Sequence, residues 1–320
     1  VLSGVLLSLG AACCYATTNV CLARAGLVRG VLIIPATLLW NVLLLGIAVL
    51  WKHGTDFGLS SVPVSALLLY AAVGLLAGLL GRSGLFFTIG RIGPSRASTV
   101  VNAAPLFSLP LGLVLFGQVP TMAGVVGVVL IVLSVWILSR DRASVPAALV
   151  GARAAVEQPD HDAGASPPRR RDSHHLQGMA MGLVVALVFG ASDSVRLFAI
   201  QVGDDPLLAA WVGSVCALVL SLGWLLLRGH GRGLVPGVGR AAAGPWVAGA
   251  GAATSLAMMA NLAAVGHLYV GYVTALLAVS PVVTLVLTKI VSPGSESLGR
   301  HGNAAMAAVL TGTVLVALGR

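Results

Sequence analysis

Charge is what this sequence has least of. Charged residues fill 9% of its 320 positions, against 58% for hydrophobic ones. A soluble domain ordinarily carries about a quarter charged residues, so a chain wetted on all its faces is excluded. Cysteine is scarce as well. Cys13, Cys14, Cys21 and Cys216 each lie in an apolar run, with no CxxC spacing and no histidine close by. That pattern offers neither a metal nor a redox pair and predicts buried, inert thiols. No segment has the spacing of a phosphate-binding P-loop, so nothing marks an ATP-driven pump. The net charge of +9 comes from basic residues scattered over helix ends and one linker. No basic face tracks a phosphate backbone, which excludes nucleic acid as a partner. No basic segment precedes the first apolar run, which reads as a full span and not as a cleavable signal peptide.

What the sequence has in abundance is apolar runs. A helix needs about 20 such residues to cross a bilayer core, and runs of that length recur from end to end. The expected fold class is therefore all-α integral membrane, with ten transmembrane helices. They are read at 2–24, 31–51, 64–90, 95–117, 121–139, 176–201, 206–228, 242–267, 271–291 and 302–318. A multi-pass protein of the inner or plasma membrane follows, with the lipid bilayer as its surrounding partner. Forty glycines suit close helix packing. Gly74 and Gly78 form one GxxxG pair, although in a glycine-rich chain a single pair also arises by chance.

The chain is also written twice. Thr88 to Leu111 aligns without a gap on Ala264 to Leu287, setting Pro105 on Pro281, Gly90 on Gly266 and Ser98 on Thr274. Upstream, Ala16-Thr17-Thr18-Asn19 falls on Gly190-Ala191-Ser192-Asp193, and Pro35 and Trp40 fall on Pro206 and Trp211. The domains expected are 1–139 and 176–320, two five-helix repeats, with a flexible polar linker at 140–175. The linker holds Ser166-Pro167-Pro168 and Arg169-Arg170-Arg171, and its composition cannot build a core. His161, His174 and His175 are expected to be solvated there. Five spans is an odd number, so the second copy enters the membrane from the opposite side. Parity alone thus predicts an inverted repeat, the symmetry that underlies alternating access in many carriers. Asp204-Asp205-Pro206 reads as turn, cap and first-turn proline of the seventh helix and not as a metal site.

One stretch carries a family resemblance. Gly90-Arg91-Ile92-Gly93-Pro94-Ser95-Arg96-Ala97-Ser98 runs on to Pro105-Leu106-Phe107 and then to Phe116-Gly117-Gln118-Val119-Pro120-Thr121. It resembles the EamA-type module of the drug/metabolite transporter superfamily. There a helix with a mid-membrane proline ends at a short acidic loop, and a glycine-rich fifth helix follows. Gly124 and Gly127 lie in that last helix here, and the second copy repeats the plan around Pro281, Glu296 and Gly302. The loop acid expected near Gln118 is an amide in this chain, and only the second copy keeps an acid, Glu296. The resemblance implies ten helices, cytoplasmic termini and transport of a metabolite or drug. Charge implies the opposite orientation. With Val1 outside, the inner loops collect Arg24, Arg29, Arg91, Arg96, Arg228, Arg232, Arg240, Lys289 and Arg300. Only Lys52 and Arg320 would remain outside, as the positive-inside rule prefers.

Ionisable groups inside spans are expensive and mark function. Asp193 lies inside the sixth helix with Arg196 three residues on, so the two share a face. The pair could couple transport to a proton or bind a charged substrate, or it could be a self-neutralising structural bridge. Asn19 holds the matching position in the first repeat, on a helix that also offers Tyr15, Thr17 and Thr18. Arg82 stands within the long third helix, with Asp193 as a candidate partner. It becomes a loop residue if the helix breaks at Gly81-Arg82-Ser83-Gly84. Asn102 lies one turn before Pro105 and could use the carbonyls that the proline frees. Pro105 and Pro281 are expected to kink their helices and serve as gates. Asn261, His267 and Lys289 are weaker candidates, Lys289 as a snorkelling cation.

The expected function is secondary active transport of small organic metabolites or drugs, by efflux or exchange, with proton coupling as one candidate mode. The partners are a small-molecule substrate and H+, with no cofactor and no metal, in a monomer or homodimer. The alternative is a polytopic membrane enzyme or a lipid-handling or scaffold protein without solute flux. A rhomboid-like protease would need Gly81-Arg82-Ser83-Gly84 as its nucleophile elbow and His267 as base. The duplication argues against it, because such a pair needs no second copy.

Overall fold

The computed structural model describes residues 2–29, 32–59, 62–116, 121–139, 168–228, 233–265, 267, 276–277, 279–291 and 300–318. Among them helices are the regular secondary structure and no strand occurs. This is the solution that hydrocarbon imposes, because a helix satisfies its backbone N–H and C=O groups within its own segment. The first half contains α1 (Leu2–Arg29), α2 (Ile33–His53), α3 (Val64–Val73) and α4 (Arg82–Ile92). A π-helical segment, Gly74–Gly81, joins α3 to α4 without a break. Then come α5 (Pro94–Val101), α6 (Pro105–Phe116) and α7 (Met122–Ser139). The second half contains α8 (Pro168–Gly203), α9 (Pro206–Leu227), α10 (Leu234–Ala242), α11 (Pro245–Val265), α12 (Ser280–Val291) and α13 (Arg300–Leu318).

Seven stretches among the described residues are long and apolar enough to cross a membrane. They are α1, α2, α3 through α4, α5 through α6, α8, α9 and α11. Met122–Ser134 and Ser280–Val291 are shorter apolar helices, so the described residues supply fewer full spans than the ten expected. Large apolar side chains crowd the outer surface: Trp51 is 90% exposed, Leu227 87% and Val114 79%. In water each would forfeit the stabilisation that burial gives, whereas lipid tails solvate it.

Several boundaries differ from those expected. Helix α8 begins at Pro168 and not at 176, so it takes in Arg169-Arg170-Arg171. A proline in the first turn already has helical φ, and no breaker separates it from the apolar run. His175 is consequently part of the helix and partly buried, not solvated. Residues 140–167, the rest of the expected linker and the site of His161, lie outside the described residues, as do Gln118 and Glu296. Helix α10 fills what was read as a loop. Its Leu234, Val238, Ala241 and Ala242 recur at helical spacing and are buried, so one face docks against α2.

The two halves interlock reciprocally. Helix α1 packs on α11 and α12, while α8 packs on the α3–α4 helix and on α5 and α6. Helix α2 meets α9, and α7 meets α13. Exchanging the halves maps this contact set onto itself. The matched tryptophans take part. The Trp40 indole donates to the Ala242 carbonyl at 3.0 Å, and the Trp211 indole donates to the Val42 carbonyl at 3.1 Å. The GxxxG pair is a packing surface and not an accident of composition. A Cβ added to Gly74 would overlap the backbone carbonyl of Gly213, and one on Gly78 would strike the Ala217 methyl. Glycine is what lets the π-helical segment and α9 touch backbone to backbone.

At one edge of this contact Asp205 caps α9, accepting from the Leu208 N–H at 3.0 Å, with Pro206 in the first turn. Asp204 takes the left-handed turn conformation, φ 51°. The expected turn, cap and proline are thus in place. Asp205 also ties α9 to the end of α2, with Lys52 Nζ at 3.1 Å and His53 Nε2 at 2.5 Å. Burial alone would raise its carboxyl. The Leu208 N–H, the Lys52 ammonium and His53 outweigh that and hold it below the usual carboxylate value.

Candidate functional site

A cavity of about 160 Å³ lies where α1, α2 and the α3–α4 helix of the first half meet α8, α9 and α11 of the second. Local sequence places its walls. Along α1, Tyr15, Thr18 and Asn19 line it, with Asn19 only 7% exposed. Thr18 bonds across to Thr254 of α11 at 3.1 Å. From the second half come Phe189 and Arg196 on α8, Ser214 on α9, and Thr254, Met258 and Asn261 on α11. The remaining surface is largely aliphatic, including Leu22, Leu38, Val73 and Leu85. Apolar walls with a few convergent polar groups are what a small-molecule site requires.

Arg82 enters this cavity because of the π-helical segment. Its N–H bonds the carbonyl of Ala77, five residues back instead of four. A widened turn changes which face the following residues present, and such turns concentrate at functional sites. The helix does not break at Gly81-Arg82-Ser83-Gly84. Arg82 is therefore an intrahelical cation and not a loop residue, and Ser83 stands on a helix and not on an elbow. The guanidinium lies 3.4 Å from Thr37 Oγ1. Asn41 has one amide orientation that satisfies all its neighbours. Its nitrogen then donates to Ser255 Oγ and the Gly251 carbonyl, both at 3.1 Å, and its oxygen accepts from Arg82 at 2.8 and 3.3 Å.

Asp193 and Arg196 pair at 3.2 Å, three residues apart on α8. Arg196 lines the cavity; the Asp193 side chain is 54% exposed and is not among the lining residues. The contacts of Arg82 are with Thr37 and Asn41, so the expected Arg82–Asp193 pair is not formed. Tyr15 lies close enough to Arg82, Arg196 and Asp193 to feel all three charges. Asn102 is outside the cavity. Its amide donates to the Ser98 carbonyl of its own helix at 2.7 Å.

Pro105 and Pro281 sit at helix starts and not at kinks within continuous helices. Residues 102–104 form a turn, and α6 begins at Pro105. Proline has no N–H to extend the preceding ladder, and the Val101 carbonyl accepts from Ala104 instead. The second copy repeats the device. Leu106 N–H bonds the Ala103 carbonyl, and Val282 N–H bonds the Val279 carbonyl at the equivalent place. The side chain of Pro281 is buried.

Sequence reasoning brought six of its candidates to one cavity: Tyr15, Thr18, Asn19, Arg82, Arg196 and Asn261. It missed Asn41, Thr37, Ser255 and Ser214. A signal for two of them was present, because Thr37 and Asn41 lie one turn apart in the otherwise apolar α2. Among the cysteines only Cys21 is buried, while Cys13 is exposed and Cys14 and Cys216 are half-buried. An apolar run has an outer face as well as an inner one, so membership of a run does not bury a thiol. His267 and Lys289 are exposed. Among the described residues no three His, Cys, Asp or Glu side chains gather as a metal site would require.

An all-helical chain with repeated apolar spans, an apolar outer surface and a few polar groups gathered in an inner cavity is a multi-pass membrane protein. Residues 2–140 match the model of the EamA-like transporter family. The resemblance read from Gly90 to Thr121 falls within the matched residues. No curated protein matches the sequence. A crystal structure described only as that of a protein is similar in fold. At 16% identity and a TM-score of 0.58, the alignment covers 99% of this chain and 96% of the other.

Proposed function

We propose that the chain is a secondary transporter of small organic metabolites or drugs, resident in the plasma membrane, that works by alternating access. The observation that carries this reading is the central cavity, whose walls come from both halves. The reciprocal packing supports an inverted repeat, in which rocking one half against the other would open the cavity to each side in turn. Paired helix starts at Pro105 and Pro281 supply two matched points where backbone bonding is already interrupted. Export or exchange linked to proton movement is the mode proposed, with Asp193 as the titrating group and Arg196 and Tyr15 beside it. A monomer suffices, because the cavity is complete within one chain.

Flux into proteoliposomes, with and without a pH gradient, tests the proposal. A gradient-dependent flux of any small metabolite is expected. Absence of flux across a broad panel would move the reading to an enzyme, a lipid-handling protein or a scaffold. Asp193→Asn is expected to abolish the pH dependence while some transport survives. An unchanged pH profile in that variant would make the ion pair structural.

A further inference from the structure

The cavity is charged with one sign. Among the described residues its lining includes two guanidinium groups, Arg82 and Arg196, and no carboxylate. Arg196 is paired with Asp193 at 3.2 Å. Arg82 meets only the neutral oxygens of Asn41 and Thr37, and among the described residues no carboxylate pairs with it. Neutral oxygens can solvate a guanidinium but cannot cancel its charge. An arginine stays protonated inside a protein, and a buried ion is retained where something of opposite sign can reach it. Among the described residues no such group stands at Arg82.

We propose that the cavity binds the anionic group of a small organic acid, with Arg82 as its anchor. This rests on the transport reading for the site and deepens it by naming the substrate class. The planar guanidinium fork matches a carboxylate in two parallel hydrogen bonds, which an ammonium on a flexible stem would not. Asn41 holds the fork from behind, since its own amide is fixed by Ser255 and Gly251 of the other half. Tyr15, within range of the same charge, supplies a hydroxyl donor to the same anion. On α11, the Oδ1 of Asn261 is buried with no hydrogen-bond partner, so it suits a donor elsewhere on the ligand. Leu85, Phe189 and Met258 offer an apolar wall for the carbon skeleton. A cavity of about 150 Å³ accommodates a solute the size of benzene, so the acid is small. A cationic substrate would face two guanidiniums and no lining carboxylate.

The test uses purified full-length protein in nanodiscs. Thermal shift and calorimetry are run with acetate, lactate, alanine and benzoate, and with the matched amides and amines, lactamide, benzamide and benzylamine. At least one carboxylate is expected to bind at least tenfold more tightly than its amide or amine. Arg82→Gln should weaken that binding by roughly tenfold to a hundredfold, the worth of a lost charged hydrogen bond, and Arg82→Lys should weaken it less. Asn41→Asp is the companion variant in case Arg82→Gln fails to fold. It places a carboxylate on the fork, keeps the charge compensated and should abolish carboxylate binding in a stable protein. Preference for amines, no response to any carboxylate, or carboxylate binding that survives Asn41→Asp would each overturn the proposal. Flux of neutral or cationic solutes that ignores Arg82→Gln would leave transport standing and sink the anion site. Carboxylate binding without flux would do the reverse.

Discussion

Arg82 and Met258 stand at the same spacing that sets Pro105 on Pro281, and both line the central cavity. One position carries a fixed charge on a helix with a π-helical turn; the other carries a thioether on a plain α-helix. Around them the halves share the paired proline helix starts and the indoles that reach across. Likeness resides in the parts that hold helices together or interrupt them. Difference resides in the side chains that a solute would touch. The same contrast recurs at Asn19 and Asp193, one buried on the cavity wall and the other half exposed and ion-paired. Under the proposed inverted repeat the frame has two equivalent ways to tilt, but a solute smaller than the frame needs one set of partners.

The comparison can be broken at its charge. Arg82→Met makes the two positions alike and should lower carboxylate transport by roughly a hundredfold, the upper range for a charged hydrogen bond. Adding Met258→Arg returns the cation from the other side, and uptake assays should then recover part of the loss. If the double variant matches Arg82→Met, the halves are not interchangeable around the solute. The scaffold is the next target. Gly74→Ala pushes a methyl into the Gly213 carbonyl, an overpacking worth about 1–3 kcal/mol, and should lower the melting temperature clearly. Gly90→Ala is its control, because a Cβ there meets nothing within 4 Å. Equal melting temperatures for the two would remove the close approach as a stabilising contact.

Finer tests address the interruptions and the edge contact. Pro105→Ala and Pro281→Ala should each slow turnover with little effect on substrate binding, because each restores a backbone bond at a helix start. Wild-type rates in both would end the gating idea. The Asp205 contribution is the smallest. Its folded carboxyl titrates below the unfolded value of about 3.8, so its stabilisation is complete above that value. It fades as the pH falls through the lower folded value. Asp205→Ala should cost about 1 kcal/mol at neutral pH through the lost cap. Asp205→Asn should cost less, since it keeps the cap and loses only a partly exposed ion pair. The test is whether the difference in melting temperature between wild type and Asp205→Asn shrinks below pH 4.

The legible part of the molecule was whatever depends on period and hydropathy. Apolar runs gave the helical class, the aligned prolines and tryptophans marked positions that make matching contacts, and Asp205-Pro206 gave a cap. Six cavity residues were found because polar groups inside apolar runs are conspicuous. Arg82 shows the limit. Its presence in a helix was evident, but its direction depends on a π-helical turn that no composition rule reveals. Asn41 was overlooked because its role comes from Ser255 and Gly251, more than 200 positions away. Asn102 failed for a local reason: its own helix, one turn back, offered a carbonyl that needed no ligand. The start of α8 was misplaced because a composition-based linker ignores the helix-initiating geometry of Pro168.

The π-helical turn ahead of Arg82 has a consequence for sequence length. Such a turn is what one extra residue leaves behind when inserted into an α-helix whose ends are fixed by packing. Residues before and after it keep separate registers, each locked by its own neighbours. Removing one residue between Gly74 and Gly81 would let the ladder close with ordinary spacing while both flanks stay in their packed registers. The Gly74–Gly213 contact and the Arg82–Asn41 contact would then both persist. A one-residue deletion elsewhere in α3 or α4 has no such slack and would turn one flank by about 100° against the other.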